Sequence, residues 1–197
     1  MIGNDVVDLG DPESDIETHH ARFTDRVFDA AERAAIEASP SRERVRWLLW
    51  AAKESAYKAA RQEDHSTVFS PLRFTVRLHD AGRTSVVVGH RRFRVDITAT
   101  AQYVHAVARR VDDRAEVIYR AVALDASVPE SEAVRALAIT TLSRAWRLVP
   151  DDFSIGREQR VPTLWVRGRR GSAGLSLSHH GRFVAFACRV PPSWRHR

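Results

Sequence analysis

Lysine is nearly missing from this chain. Of its 31 Lys plus Arg residues only Lys53 and Lys58 are lysines, so every other cationic side chain of that set is Arg. Cysteine is scarcer still. The single Cys188 excludes an internal disulfide, and its place in the apolar run Phe183-Val-Ala-Phe-Ala-Cys188 reads as a core thiol rather than a nucleophile. A reducing cytoplasm is the expected setting. No charged leader followed by an apolar core opens the sequence and no apolar run approaches spanning length, so neither export nor membrane insertion is expected. The arginines are dispersed rather than blocked, so no polybasic tail is expected.

What is present bounds the class. A chain of 197 residues with 44% hydrophobic content, five Trp and eight Phe can bury a core and is not disordered. Its formal charge of +6 implies an acidic partner: nucleic acid, a membrane surface, an acidic protein or a phosphorylated small molecule.

Both lysines fall in Trp47-Leu-Leu-Trp-Ala-Ala-Lys-Glu-Ser-Ala-Tyr-Lys58. A compact ammonium suits a crowded phosphate or metal site better than the planar fork of Arg. At helical spacing Val45, Leu48, Leu49, Ala52, Ala56 and Ala59 form a core-facing stripe. The opposite face carries Trp47, Trp50, Glu54, Lys58 and Arg61, and two tryptophans there predict a second buried contact. Glu54 and Lys58 stand one turn apart. On a solvated face they would be an ordinary ion pair; beside a metal they would be one hard oxygen ligand and one phosphate-neutralising cation.

In chain order, Met1 to Leu9 reads as a strand in which Asp5 shares a face with Val7 and Leu9 while Asp8 points the other way. A carboxylate among apolar neighbours needs an Arg, a backbone cap or a metal. Residues 22–28 read as helical, Asp29 and Glu32 have capping-box spacing, and Ser39-Pro40 opens the long helix. Strand-like segments follow at 72–78, 84–88 and 94–109, the first two separated by a turn at Asp80-Ala-Gly82. Helix is then expected over 132–148 and strand over 153–155, 163–166 and 175–187. A shift of 80 residues lays Thr98–Arg109 over Ser178–Arg189 without a gap, matching Val104 with Val184 and Arg109 with Arg189. These matches predict two similar halves, 1–115 and 116–197.

Ile2-Gly-Asn-Asp5, Trp50-Ala-Ala-Lys-Glu-Ser-Ala-Tyr-Lys58 and Ser176-Leu-Ser-His179 together resemble the signature motifs of the 4′-phosphopantetheinyl transferases. Both the small holo-acyl-carrier-protein synthases and the larger surfactin-synthetase-activating type share them. The resemblance implies an α+β fold of two helix-plus-antiparallel-sheet halves in a pseudo-twofold arrangement. It also implies Mg²⁺-dependent transfer of the phosphopantetheine arm of coenzyme A to a serine of an apo carrier protein, releasing adenosine 3′,5′-bisphosphate. By this likeness Asp5 and Glu54 hold the metal, Lys58 neutralises phosphate, and Ser178 and His179 meet the coenzyme from the other half. His180 is read as incidental. Glu54 deprotonates the carrier serine, directly or through a metal-bound water; Lys53 orders the site or protonates the leaving group. Arg160 is a positional assignment for the adenosine end.

The acidic carrier would dock near Arg22, Arg26 and Arg33, and a monomer should suffice because the duplication supplies its own interface. Two departures from the larger type stand out. Val7 occupies the position of its second acidic residue, and the half bearing Ser-x-Ser-His comes second rather than first. The competing classes are a catalytically degenerate scaffold that binds carrier proteins and a basic nucleic-acid-binding module. The latter has no use for Asp5 and Glu54 among apolar residues, and no nucleic-acid motif is present.

Overall fold

The computed structural model describes residues 1–15, 22–79 and 83–191. It contains two five-stranded antiparallel sheets with helices, an α+β architecture of two similar halves. The first half comprises β1 (Ile2–Asp8), α1 (Phe23–Val27), α2 (Ala30–Ala38), α3 (Arg42–Glu63), β2 (Thr75–Leu78), β3 (Thr84–Val88), β4 (Arg91–Ala99) and β5 (Tyr103–Arg110), with strand order β1-β5-β4-β3-β2. The second comprises β6 (Val117–Ala123), α4 (Glu130–Trp146), β7 (Phe153–Glu158), β8 (Val161–Val166), β9 (Arg169–His180) and β10 (Phe183–Arg189), with order β6-β10-β9-β8-β7. The orders superimpose strand for strand. The hairpin registers also agree under the same shift of 80, since Ala99 faces Val104 in β4–β5 and His179 faces Val184 in β9–β10.

The first core lies between α3 and its sheet. Ala52, Ala56, Ala59 and Ala60 are small enough to bring the helix down onto Val7, Phe74, Val86, Phe93 and Val104. Gly3 marks the closest approach: a Cβ there would overlap the Ser55 carbonyl oxygen and stand 2.6 Å from the Ala59 nitrogen. Thus β1 lies directly against the helix turn that carries Glu54 and Lys58. In the second half α4 packs Ala138 and Leu142 on Leu164, Leu175 and Phe186. The remaining faces of β1 and β5 meet β10 and β6, through Ile2, Val107 and Ala187 at one end and Val6, Phe183 and Ala185 at the other.

The long helix begins at Arg42, two residues beyond Pro40, with Ser41 at its N-cap. The capping box at Asp29 and Glu32 forms as the spacing predicts. The segment expected as one strand over 94–109 is instead the β4–β5 hairpin. Thr100 turns it, its hydroxyl oxygen accepting the N–H groups of Gln102 and Tyr103 at 3.1 and 3.0 Å. Likewise the strand expected over 175–187 is broken by Gly181, whose φ of +51° suits a residue without a Cβ. The turn expected at Asp80-Ala-Gly82 lies outside the described residues.

Candidate active site

The open edge of β1 abuts the face of β9, and side chains make the join. Outward N–H groups of Asn4, Val6 and Asp8 donate to Ser176 Oγ (2.9 Å), Ser178 Oγ (3.2 Å) and His180 Nδ1 (3.2 Å). A strand's period of two puts these three side chains on one face of β9. The structure therefore reads this stretch as Ser-x-Ser-x-His, and His180, taken from the sequence as incidental, closes the edge of β1. His179 points the other way. It is half exposed, with Nδ1 2.9 Å from Glu130 Oε2 at the start of α4.

Across this seam Asp5 and Lys58 meet Ser178. Lys58 Nζ donates to Asp5 Oδ1 at 2.8 Å, Ser178 Oγ donates to the same oxygen at 3.0 Å, and Lys58 Nζ reaches Ser178 Oγ at 3.4 Å. Asp5 thus keeps its second carboxylate oxygen for another partner. Glu54 takes no hydrogen bond from the described residues. Burial first, and then the neighbouring Asp5 carboxylate, push its pKa up to about 7 against the opposing pull of Lys58. Two adjacent carboxylates with oxygens to spare fit a hard divalent cation, which takes oxygen ligands and few protein groups. The concavity they line has a volume of about 290 Å³ and is walled by Trp47 and Trp50 on one side and Leu177 to His180 on the other.

The face of α3 opposite the core finds its second contact here. Trp47 is buried, its indole N–H donating to the Ser14 carbonyl at 2.9 Å, and the rings of Trp50 and Phe69 pack edge to face at 5.7 Å between centroids. Lys53, by contrast, is not brought to this group. Its ammonium is fully buried on the other side of α3, 2.8 Å from Glu32 Oε2 and donating to the carbonyls of Phe74 (2.7 Å) and Pro71 (3.1 Å). Burial lowers its pKa, and Glu32 opposes that shift.

Asp8 is buried at the end of β1, where Arg182 from the β9–β10 turn grips both of its oxygens. Those hydrogen bonds hold its carboxyl well below the usual carboxylate range. Nearby, donor atoms of Asp11, Glu13 and His180 approach within 4.8 Å of one another. His180 Nδ1 already accepts the Asp8 N–H, so the neutral ring carries its proton on Nε2 and has no lone pair left for a cation. A larger concavity of about 620 Å³ opens at the far end of the seam, between Gln62 and His65 on one side and Ser172 to Leu175 on the other. Arg160 stands in the β7–β8 turn, exposed, between Gln159 and Val161, which line that concavity. Arg22 and Arg26 are exposed, and Arg33 is 3.6 Å from Asp25.

Residues 1–108 match the family model of the 4′-phosphopantetheinyl transferase superfamily. The match covers more than half of the chain and includes β1 and α3, and the chain belongs to that superfamily. Among solved structures it is similar to the holo-[acyl-carrier-protein] synthase of Thermotoga maritima, at 13% identity and a TM-score of 0.43, over 98% of this chain and 84% of that one. No curated protein sequence matches it.

Proposed function

We propose that this protein transfers the 4′-phosphopantetheine arm of coenzyme A to a serine of an apo acyl or peptidyl carrier protein, releasing adenosine 3′,5′-bisphosphate. The observation that carries this reading is the meeting of Asp5 and Lys58 with Ser178, beside Glu54, in one cleft fed by both halves. Asp5 and Glu54 would hold Mg²⁺, which when bound would draw off negative charge building on the pyrophosphate oxygens. Lys58 lies against the same oxygens, Ser178 meets the coenzyme from the second half, and His179, which lines the same cleft, exchanges Glu130 for the coenzyme. Glu54 removes the proton of the carrier serine, directly or through a water. Lys53 serves the site through folding, pinning α3 to α2 and to the Phe74 carbonyl just before β2.

Lys58 lies between Glu54 and Gln62 along α3, one turn from each. In this reading the pyrophosphate sits at Lys58, the adenosine end lies at the larger concavity by Gln62, with Arg160 at its margin, and the pantetheine arm lies by Trp50. Arg22, Arg26 and Arg33 present a basic region beside α1 for an acidic carrier. The two halves, 1–115 and 116–197, supply within one chain the interface that a composite cleft needs, so a monomer suffices. The lone Cys188, buried and with its pKa pushed up to about 12 by that burial, accords with a cytoplasmic setting. No described helix is long and apolar enough to cross a membrane.

Intact-mass measurement on a panel of apo carriers, with coenzyme A and Mg²⁺, tests the proposal. The expected result is a gain of one phosphopantetheine on at least one carrier. Carrier binding without mass gain would replace the transferase with a scaffold.

A further inference from the structure

No ladder hydrogen bond joins β1 to β9 among the described residues; hydroxyl and imidazole side chains bridge them. Apolar packing holds the two halves together; side chains at each end of the join set how the two strands stand against each other. At the Ile2 end Gln62 ties them, accepting the Ile2 N–H at 3.1 Å and donating to the Leu175 carbonyl at 2.8 Å. At the other end stands Asp8. Its Oδ2 accepts from the backbone N–H of Arg182 (2.9 Å) and from Nε (2.8 Å), while Oδ1 accepts from Nη2 (2.7 Å) and from the Gly10 N–H (2.9 Å). The Asp8 side chain is 1% exposed and that of Arg182 59%, so the carboxylate is dry and its cation is supplied from the other half. A Cβ on Gly181 would stand 2.7 Å from Asp8 Oδ2, so the turn is shaped to let the carboxylate in.

We propose that Asp8 and Arg182 form a positioning clamp for the coenzyme side of the cleft, setting where Ser178 and His179 stand relative to Asp5. Asp5 is three residues before Asp8 on β1, and His179 is three residues before Arg182 on the β9–β10 hairpin. A fork gripping both carboxylate oxygens fixes distance and orientation together, which a single hydrogen bond does not. Neither residue touches the coenzyme in this scheme. Both act through the two strands they join. The inference rests on the reading of Ser178 and His179 as coenzyme contacts.

The test measures coenzyme A affinity by calorimetry in Mg²⁺, with KM for coenzyme, kcat at saturation and the melting temperature, for Arg182→Gln, Asp8→Asn, the double variant, Arg182→Lys and His179→Ala. Arg182→Gln and Asp8→Asn should each weaken coenzyme binding about tenfold, as expected for one lost charge-assisted geometry, and raise KM to match. The kcat at saturation should stay within about threefold. The double variant should be no weaker than the worse single one, and Arg182→Lys should recover part of the loss. Asp8→Asn leaves no unpaired buried charge and carries the test if Arg182→Gln fails to fold. A lower melting temperature with coenzyme affinity within about twofold of the parent would reduce the pair to a stability element and overturn the clamp. If His179→Ala keeps its affinity while the clamp variants lose theirs, the role of His179 falls and the clamp stands.

Discussion

Burial and the Asp5 carboxylate keep the Glu54 proton bound up to about pH 7, against an ordinary value of 4.5. Between those values the folded state binds more protons than the unfolded one, so stability falls as pH rises through that window, by up to about 3 kcal/mol. Glu54→Gln should therefore raise the melting temperature above pH 7 in the presence of a chelator. It should also lower turnover by two orders of magnitude or more, since it removes both a cation ligand and a base. Thermal melts at pH 8 with and without Mg²⁺, beside transfer assays, check both; a variant no more stable than its parent in chelator would break the electrostatic account. At this scale the sequence marks Lys53 and Lys58 alike. Five positions on a helix turn them to opposite sides, and only the packing of α2 and β2 over one side and β9 over the other decides which is dry. Asp8 was equally opaque: its partner Arg182 lies 174 residues away.

Glu32 shows how much one helix terminus can carry. Its Oε2 accepts from the Asp29 N–H (2.9 Å) and lies 2.8 Å from Lys53 Nζ, while Oε1 accepts from the Val76 N–H (2.7 Å). The capping box is local and legible; the ties to α3 and β2 are not. Replacing Lys53 with Met would leave the Glu32 carboxylate buried without its cation and should cost about 3–5 kcal/mol. The fraction still folded should transfer at near the parental rate, measured as turnover per folded molecule from a denaturation curve. A folded but inactive Lys53→Met would return Lys53 to the chemistry. Among the strands, β6 escapes the alternation test because Val117 to Ala123 is part-exposed on both faces. Hairpin β4–β5 was hidden as one run because its turn, Thr100-Ala-Gln102, lacks Gly and Pro and depends on a hydroxyl.

Across the whole molecule, the two halves share a topology but not a site. Asp5 faces Ala106 on β5, and the corresponding residue of β6, facing Phe186 on β10, is Arg120. Thr98 and Ala99 stand where the second half has Ser178 and His179. Calorimetric titration should therefore return a coenzyme stoichiometry near one per chain; a value near two would mean that both clefts work. His105 sits at the contact between halves, 2% exposed, with Nε2 3.3 Å from Asn4 Nδ2 and its ring centroid 5.8 Å from that of Tyr119. Burial lowers its pKa to about 4. The unfolded state therefore takes up a proton that the folded state refuses, and stability drops as pH falls from 6.5 towards 4, by up to roughly 3 kcal/mol. His105→Gln should flatten that part of the pH–stability curve in denaturant titrations. The repeat itself was readable because its hairpins keep register without a gap; the seam was not, since it is made between strands that no local pattern connects.

The side-chain join between β1 and β9 also bears on the order of events in folding. β1 pairs with β5 roughly a hundred residues on, and Asp5 meets Ser178 across a separation of 173. Contacts so distant in sequence must wait until the intervening chain has been gathered, because loop closure costs entropy before any contact returns it. On the ribosome Asp5 emerges long before the serine it will bind. The carboxylate, the ammonium and the hydroxyl can come together only once both sheets exist, so no half-made molecule carries the assembled cleft.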